Sequence, residues 1–236
     1  MNFRLKVNLL LIAVFLLGAI PAGWYVNSLV KKQSNDNVVK QAAMLMESAL
    51  AMRSYTIDLI KPQLDPMLEQ KFLPQTVPAF AATETFERFR KKFTNFKYKE
   101  AVLDPTNPRD LADDQERAII SKFIDNPSLQ ETSGELYRSL SRFYYVARPI
   151  QIKNPACLVC HDTPDRAPAT MRQIYGDKGG FGWKLDQIVG AQIITVPAFE
   201  QDAANASMLK TLLVLFGGIF VVLLVVVNLL LPRNDE

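Results

Sequence analysis

The stretch Arg142-Phe143-Tyr144-Tyr145-Val146-Ala147-Arg148-Pro149-Ile150-Gln151-Ile152 alternates as a β-strand does, with Phe143, Tyr145 and Ala147 on one side and Tyr144, Val146 and Arg148 on the other. It delivers the chain to Cys157-Leu158-Val159-Cys160-His161, which holds both cysteines and the single histidine of the 236 residues. A C-x-x-C-H run is the pattern of c-type haem attachment: two thiols, Cys157 and Cys160, add across the vinyl groups, and the histidine that follows, His161, binds iron from one side. Other readings of the same residues are weaker. A thioredoxin-like pair requires a depressed thiol pKa at a helix N-terminus in a βαβ setting, which the proline-flanked context does not resemble. Structural zinc requires four ligands, so Asp162 or Asp165 would have to complete the set. A disulfide between Cys157 and Cys160 closes too small a loop to stabilise much.

Working outward, the two ends of the chain are apolar. Val7 to Val30 contains 24 uncharged residues and Thr211 to Pro232 contains 22, enough as helices for ~36 Å and ~33 Å, so both can cross a bilayer. The first stretch is longer than the apolar core of a signal peptide, and Ala19-Ile20-Pro21-Ala22-Gly23 offers no clean cleavage site; an uncleaved anchor, kinked near Pro21, is expected. Arg4 and Lys6 are opposed by Lys31 and Lys32, so the positive-inside rule does not orient the pair. Haem attachment does, because c-type haem is joined on the extracytoplasmic side. The expected organisation is a transmembrane helix over 1–32, an extracytoplasmic haem domain over 33–209, and a second transmembrane helix with a short tail over 210–236. The setting is a bacterial inner membrane or a thylakoid membrane, with the domain in periplasm or lumen.

The loop of residues 33–209 carries 21 Lys and Arg against 22 Asp and Glu, so the formal excess of +3 flanks the membrane. Nothing clusters as a nucleic-acid face. A loop of that length can bury roughly 70% of its unfolded surface as one domain.

Helical spacing predicts a helix over Asn35 to Lys61, broken at Pro62, with Val38, Ala42, Leu45, Ala49, Met52, Thr56 and Leu59 on one stripe. A proline-punctuated connection follows. Phe80 to Tyr98 resumes helical spacing, with Phe86, Phe89, Phe93 and Phe96 on one face; its basic run is either a solvated back or a docking face for an acidic partner or lipid headgroups. A strand is expected over Tyr98 to Leu103, a helix capped by Asp110 and reaching Asn126, a short helix over Ala167 to Tyr175, and a strand over Gln187 to Pro197. Gly176, Gly179, Gly180 and Gly182 read as a flexible turn, since their spacing fits neither the dinucleotide nor the Walker fingerprint. The order indicates an α+β domain with an antiparallel sheet and a long N-terminal helix.

Several strings also resemble, in order, a family of extracytoplasmic c-type haem domains. They are Met52-Arg53-Ser54-Tyr55-Thr56, Val77-Pro78-Ala79, Pro105-Thr106-Asn107-Pro108, Ala147-Arg148-Pro149-Ile150, the thiol motif, Tyr175-Gly176, Gly180-Phe181-Gly182-Trp183-Lys184, Gly190-Ala191-Gln192-Ile193 and Val196-Pro197. The resemblance implies a PAS-like haem fold, stand-alone in cyanobacteria or fused to histidine kinases, with a role in redox or gas sensing. It also implies haem c as the cofactor and, from the layout of such receptors, a homodimer. One member of the family uses a cysteine as second iron ligand; no third cysteine exists here, so thiolate ligation is excluded. With no second histidine, the place falls to methionine, to a weaker donor such as Lys or Tyr, or to nothing. Met46, flanked by Ala42, Ala49 and Arg53, is the first choice and Met52 the second, while Met44 points away. Arg53 and Arg148 are the candidate propionate partners, with a plain salt bridge the alternative for Arg148. The chain stops at Glu236 without an output domain, so a membrane signalling partner or a redox partner is expected to read its state, the alternative role being one-electron carriage. A haem enzyme is not expected, because no free imidazole remains for acid–base work.

Overall fold

The computed structural model describes residues 3–138 and 141–231, with the backbone alone at 199–202. The chain forms two compact units, one of residues 38–198 and one of the two ends.

In the terminal unit, α1 (Phe3–Tyr55) begins as the first apolar stretch and continues without interruption through Pro21. The last helix, α7 (Phe199–Leu230), carries the second. Both are long and apolar enough to cross a membrane. They pack antiparallel, with Phe15 stacked on Phe220 at 4.0 Å. Asn8 and Asn228 exchange amide hydrogen bonds of 3.1 and 2.8 Å, the kind of polar pair that fixes helix register where lipid supplies no hydrophobic drive.

The central unit is an α+β domain built on a four-stranded sheet. After α1 the chain makes a π-helical turn, Thr56–Ile60, and a short helix α2 (Lys61–Leu64). The expected break at Pro62 does not occur: the backbone stays helical from α1 through the π-turn into α2, with Pro62 at the start of α2. Next come α3 (Pro78–Arg90), β1 (Lys97–Val102), α4 (Asp114–Asp125), β2 (Thr132–Arg138) and β3 (Ser141–Gln151). The thiol motif forms a 3-10 turn, Pro155–Cys157, and a short helix α5 (Leu158–His161); α6 (Ala169–Tyr175) and β4 (Ile188–Pro197) complete the unit. Strand order is β1-β4-β3-β2, antiparallel throughout.

The alternation of β3 divides two cores. Tyr144 and Val146 face α1 and α3, in a cluster with Val38, Ala42, Met46, Ala49, Ala82, Phe86, Tyr98, Ile194 and Val196. Tyr145 and Ala147 face α4, with Ile119, Ile120, Phe123, Leu136 and Ile193. β4 is buried along its whole length because both faces are covered.

Three expectations shift. The helix read over Phe80 to Tyr98 ends at Arg90, and Tyr98 belongs to β1; Phe93, 46% exposed, lies past its end. The cap of α4 is Asp113, whose side chain takes the Glu116 N–H while Glu116 returns to the Asp113 N–H, a complete capping box; Asp110 ends a 3-10 turn just before it. The unforeseen strand is β2, whose Thr-Ser-Gly-Glu-Leu lacks an apolar alternation because it is an edge strand with a largely exposed face.

Candidate functional site

The five motif residues lie on consecutive short turns, so their side chains fan out from one knuckle. Asn154 accepts a hydrogen bond from the Ala156 N–H and opens the 3-10 turn, and the α5 turn that follows carries Cys160 and His161. Both thiols are free and half-buried. Burial raises the Cys160 thiol pKa; Lys61 opposes this and Asp65 adds to it. That cysteine packs against a small apolar cluster of Leu68, Phe72, Ala167 and Met171.

His161 is held on three sides by one loop. Its Nδ1 lies 2.7 Å from the Gly180 carbonyl oxygen, to which it donates as the Nδ1–H tautomer. The Trp183 N–H donates to the His161 carbonyl at 3.1 Å, and the Gly182 N–H to that of Asp162 at 2.6 Å. The Trp183 ring stacks on the imidazole at 3.9 Å with the planes 11° apart. Burial pushes the His161 pKa down and the Gly180 bond partly offsets this, so the ring is neutral near pH 7. With Nδ1–H committed, the lone pair of Nε2 is the free donor, as in a metal-binding histidine whose other nitrogen is pinned by a carbonyl. The glycine stretch expected to be a flexible turn is thus a backbone clamp.

A second set of buried polar groups joins α1 to β1. Arg53, near the end of α1, places Nη1 at 2.6 Å from each oxygen of Glu100 on β1, and the Tyr98 hydroxyl donates to Glu100 at 2.5 Å. Burial works against the Arg53 charge, yet Glu100 and Tyr98 together outweigh it and keep the guanidinium above its ordinary pKa. Burial, and then Glu100, raises the Tyr98 pKa well above its usual value. Asp110 is pushed up to about 6 by burial, with Arg109 opposing and Glu100 reinforcing.

The remaining sequence-derived candidates scatter. Met46 is fully buried in the core cluster between α1 and the sheet, among residues none of which belongs to the thiol motif. Met52 is half-buried, one residue before Arg53. Met44 is 71% exposed. Arg148 binds Glu47 at 2.6 Å and Glu131 at 2.9 Å, tying β3 to α1 and to the approach of β2. Asp162 pairs with Arg166. Among the described residues no three His, Cys, Asp or Glu side chains converge on a metal position, so the donor set is one imidazole with two thiols. That set fits a haem attached through both cysteines, because the two thiols would bond to its vinyl groups and the porphyrin would bring its own nitrogen donors, leaving only the imidazole to be supplied to the iron by the motif. Sequence reasoning assigned no role to Gly180 or Trp183, although both stand in a quoted string; the signal was a glycine pair followed by Gly-Trp in a chain with one histidine to hold.

A family model described as Tll0287-like matches residues 31–197. The chain belongs to the Tll0287-like family. Among solved structures, that of the cyanobacterial haem protein Tll0287 aligns with a TM-score of 0.53 at 16% identity, covering 68% of this chain and 95% of that one. At that identity the likeness is one of fold. No curated protein matches. The Tll0287-like match includes the end of α1, the thiol motif, the 180–183 clamp and all four strands, so each element that positions His161 lies inside the family region.

Proposed function

We propose that this is a membrane-anchored haem c protein that senses redox state or a small gas. In this reading Cys157 and Cys160 carry the haem through thioether bonds, His161 Nε2 is the proximal ligand, and the domain lies on the extracytoplasmic side. When bound, the haem supplies a one-electron couple and an iron centre at which small ligands exchange. The residues do the rest. Gly180 fixes the imidazole tautomer, Trp183 fixes its plane, and Arg53 is the cation proposed for a haem propionate. Met52 replaces Met46 as the methionine proposed for the second axial position, because Met46 is fully enclosed in the core cluster whereas Met52 packs at its edge and stays partly exposed.

The observation that carries this proposal is the pinned His161 Nδ1, which leaves Nε2 available next to two free thiols. Sensing is preferred over electron carriage because one helix, Phe3–Tyr55, contains both an apolar stretch able to cross a membrane and Arg53, which is paired with Glu100 of the sheet. It leads into a π-turn, a feature frequent where a helix serves a site. The test is to express the full chain with a cytochrome c maturation system and weigh it. Covalent porphyrin mass is expected on the wild type and absent from Cys157→Ser/Cys160→Ser, while His161→Ala alters the axial spectrum. An unmodified wild-type chain overturns the haem reading. Carbon monoxide binding to the reduced protein is expected; failure to bind, with the axial bonds intact in both oxidation states, replaces the sensor with an electron carrier.

A further inference from the structure

The loop that holds His161 is itself held, by the turn Asp104-Pro105-Thr106-Asn107 after β1. Gly180, whose carbonyl accepts the Nδ1–H, has φ +81°, a conformation natural only to glycine. Its own N–H donates to Asp104 Oδ2 at 3.2 Å. A Cβ on Gly180 would lie 1.9 Å from Thr106 Oγ1 and 2.7 Å from the Thr106 nitrogen, and one on Gly179 would lie 2.6 Å from the Pro105 carbonyl oxygen. The turn is therefore seated against two glycine backbones with no room to spare. Thr106 Oγ1 is buried there without a hydrogen-bond partner. Buried polar atoms normally find one, so this hydroxyl is retained at a cost, pressed against the residue that orients the imidazole.

We propose that Asp104 and Thr106 are positioning residues for the axial histidine: by fixing Gly180 from its N–H side and its Cα side, they set the Nδ1–H···O=C bond and hence the donor strength of Nε2. This rests on the haem reading above. A well-formed bond to Nδ1–H makes the imidazole a stronger donor and favours oxidised iron. Loosening Gly180 weakens that bond, and the iron becomes easier to reduce. Asp104 touches neither the imidazole nor the thiols, so its effect passes through Gly180.

The single histidine makes the test direct, because the full-length protein labelled with 15N at histidine reports one imidazole. In haem-loaded Asp104→Ala the covalent haem is expected to be retained. The ratio of reduced to oxidised protein at the wild-type midpoint is expected to rise roughly three- to tenfold, tenfold being about 59 mV for one electron, and the Nδ1 proton to exchange faster with solvent. Asp104→Asn keeps an acceptor oxygen and is expected to restore both readouts, which a general loss of stability would not do. Full haem with unchanged potential and exchange in Asp104→Ala overturns the proposal. Where Asp104→Ala fails to accumulate, Thr106→Val and Thr106→Gly decide: the first keeps the shape against Gly180 and should match wild type, the second removes it and should shift both readouts. Identical behaviour of the two overturns the proposal. A wild-type chain that takes no haem defeats the haem reading instead, and Nδ1 proton exchange in the haem-free variants then judges the positioning separately.

Discussion

Two buried glutamates sit close in the fold and serve it differently. Glu116, 1% exposed, is built from local sequence. It closes the α4 capping box with Asp113 and also binds Lys99 at 2.6 Å and Arg138 at 2.7 Å. Glu100, 2% exposed, has one cation, Arg53, which arrives from 47 residues away, and one phenol, Tyr98. Lys99 and Glu100 are neighbours on β1, so the pleat sends them to opposite faces of the sheet. On one face a carboxylate organises a helix end with two cations. On the other it ties α1 to β1. A buried ion pair contributes little net stability against a well-packed apolar pair, while a half-broken one is costly. The Glu116 network thus organises a helix end, whereas the Arg53–Glu100 pair fastens α1 to the sheet.

That contrast is open to measurement. Glu100→Ala strands Arg53 and should lower the unfolding free energy by about 3–5 kcal/mol in denaturant titration. The double change Arg53→Met/Glu100→Leu, made in a Tyr98→Phe background so that no buried phenol loses its acceptor, should recover most of the loss. Glu116→Leu/Lys99→Met should not, because the Asp113 N–H loses its acceptor and Arg138 loses Glu116 and keeps Asp113. Equal recovery in the two doubles would erase the distinction.

Asp110 sharpens the comparison through pH. Its folded pKa is about 6 against 3.8 when unfolded, so the fold favours the protonated acid. The stabilising contribution is complete below 3.8 and is lost as pH rises through 6. Asp110→Asn should therefore be more stable than wild type by about 2–3 kcal/mol at pH 8, with the gap closing to nothing below pH ~4, the unfolded-state value. Thermal melts across that range check it, and a pH-independent gap would contradict the burial argument. Smaller again, Asp113→Ala should cost about 1 kcal/mol through loss of the α4 cap. Arg148→Ala, at a partly exposed pair of salt bridges, should cost about 0.2–1 kcal/mol and leave haem content unchanged; loss of haem would return Arg148 to the site.

Much of the scaffold was legible in the residues. The alternation of Phe143 to Arg148 correctly separated two faces, which proved to be two cores. β1, β4 and α6 fell close to their expected positions because apolar pattern and turn residues agreed there. The helix end at Arg90 was missed because phenylalanine spacing ran on past it, and Asp113 was passed over for Asp110 because both acids precede the same helix. Of the site, the thiols and the histidine were plain. Met46 was placed ahead of Met52 on helical spacing, which puts side chains on a stripe without saying what covers it.

Chemistry carried by adjacent residues, the C-x-x-C-H run, the two apolar spans and the α4 capping box, is written in order along the chain, since short-range geometry needs no partner from elsewhere. What came from folding was everything that depends on distant segments meeting. Gly180 reaches the imidazole 19 residues behind it, Asp104 reaches Gly180 across 76, and Arg53 finds Glu100 across 47. Such pairings are set by how the sheet and α1 pack together, and no local pattern encodes that.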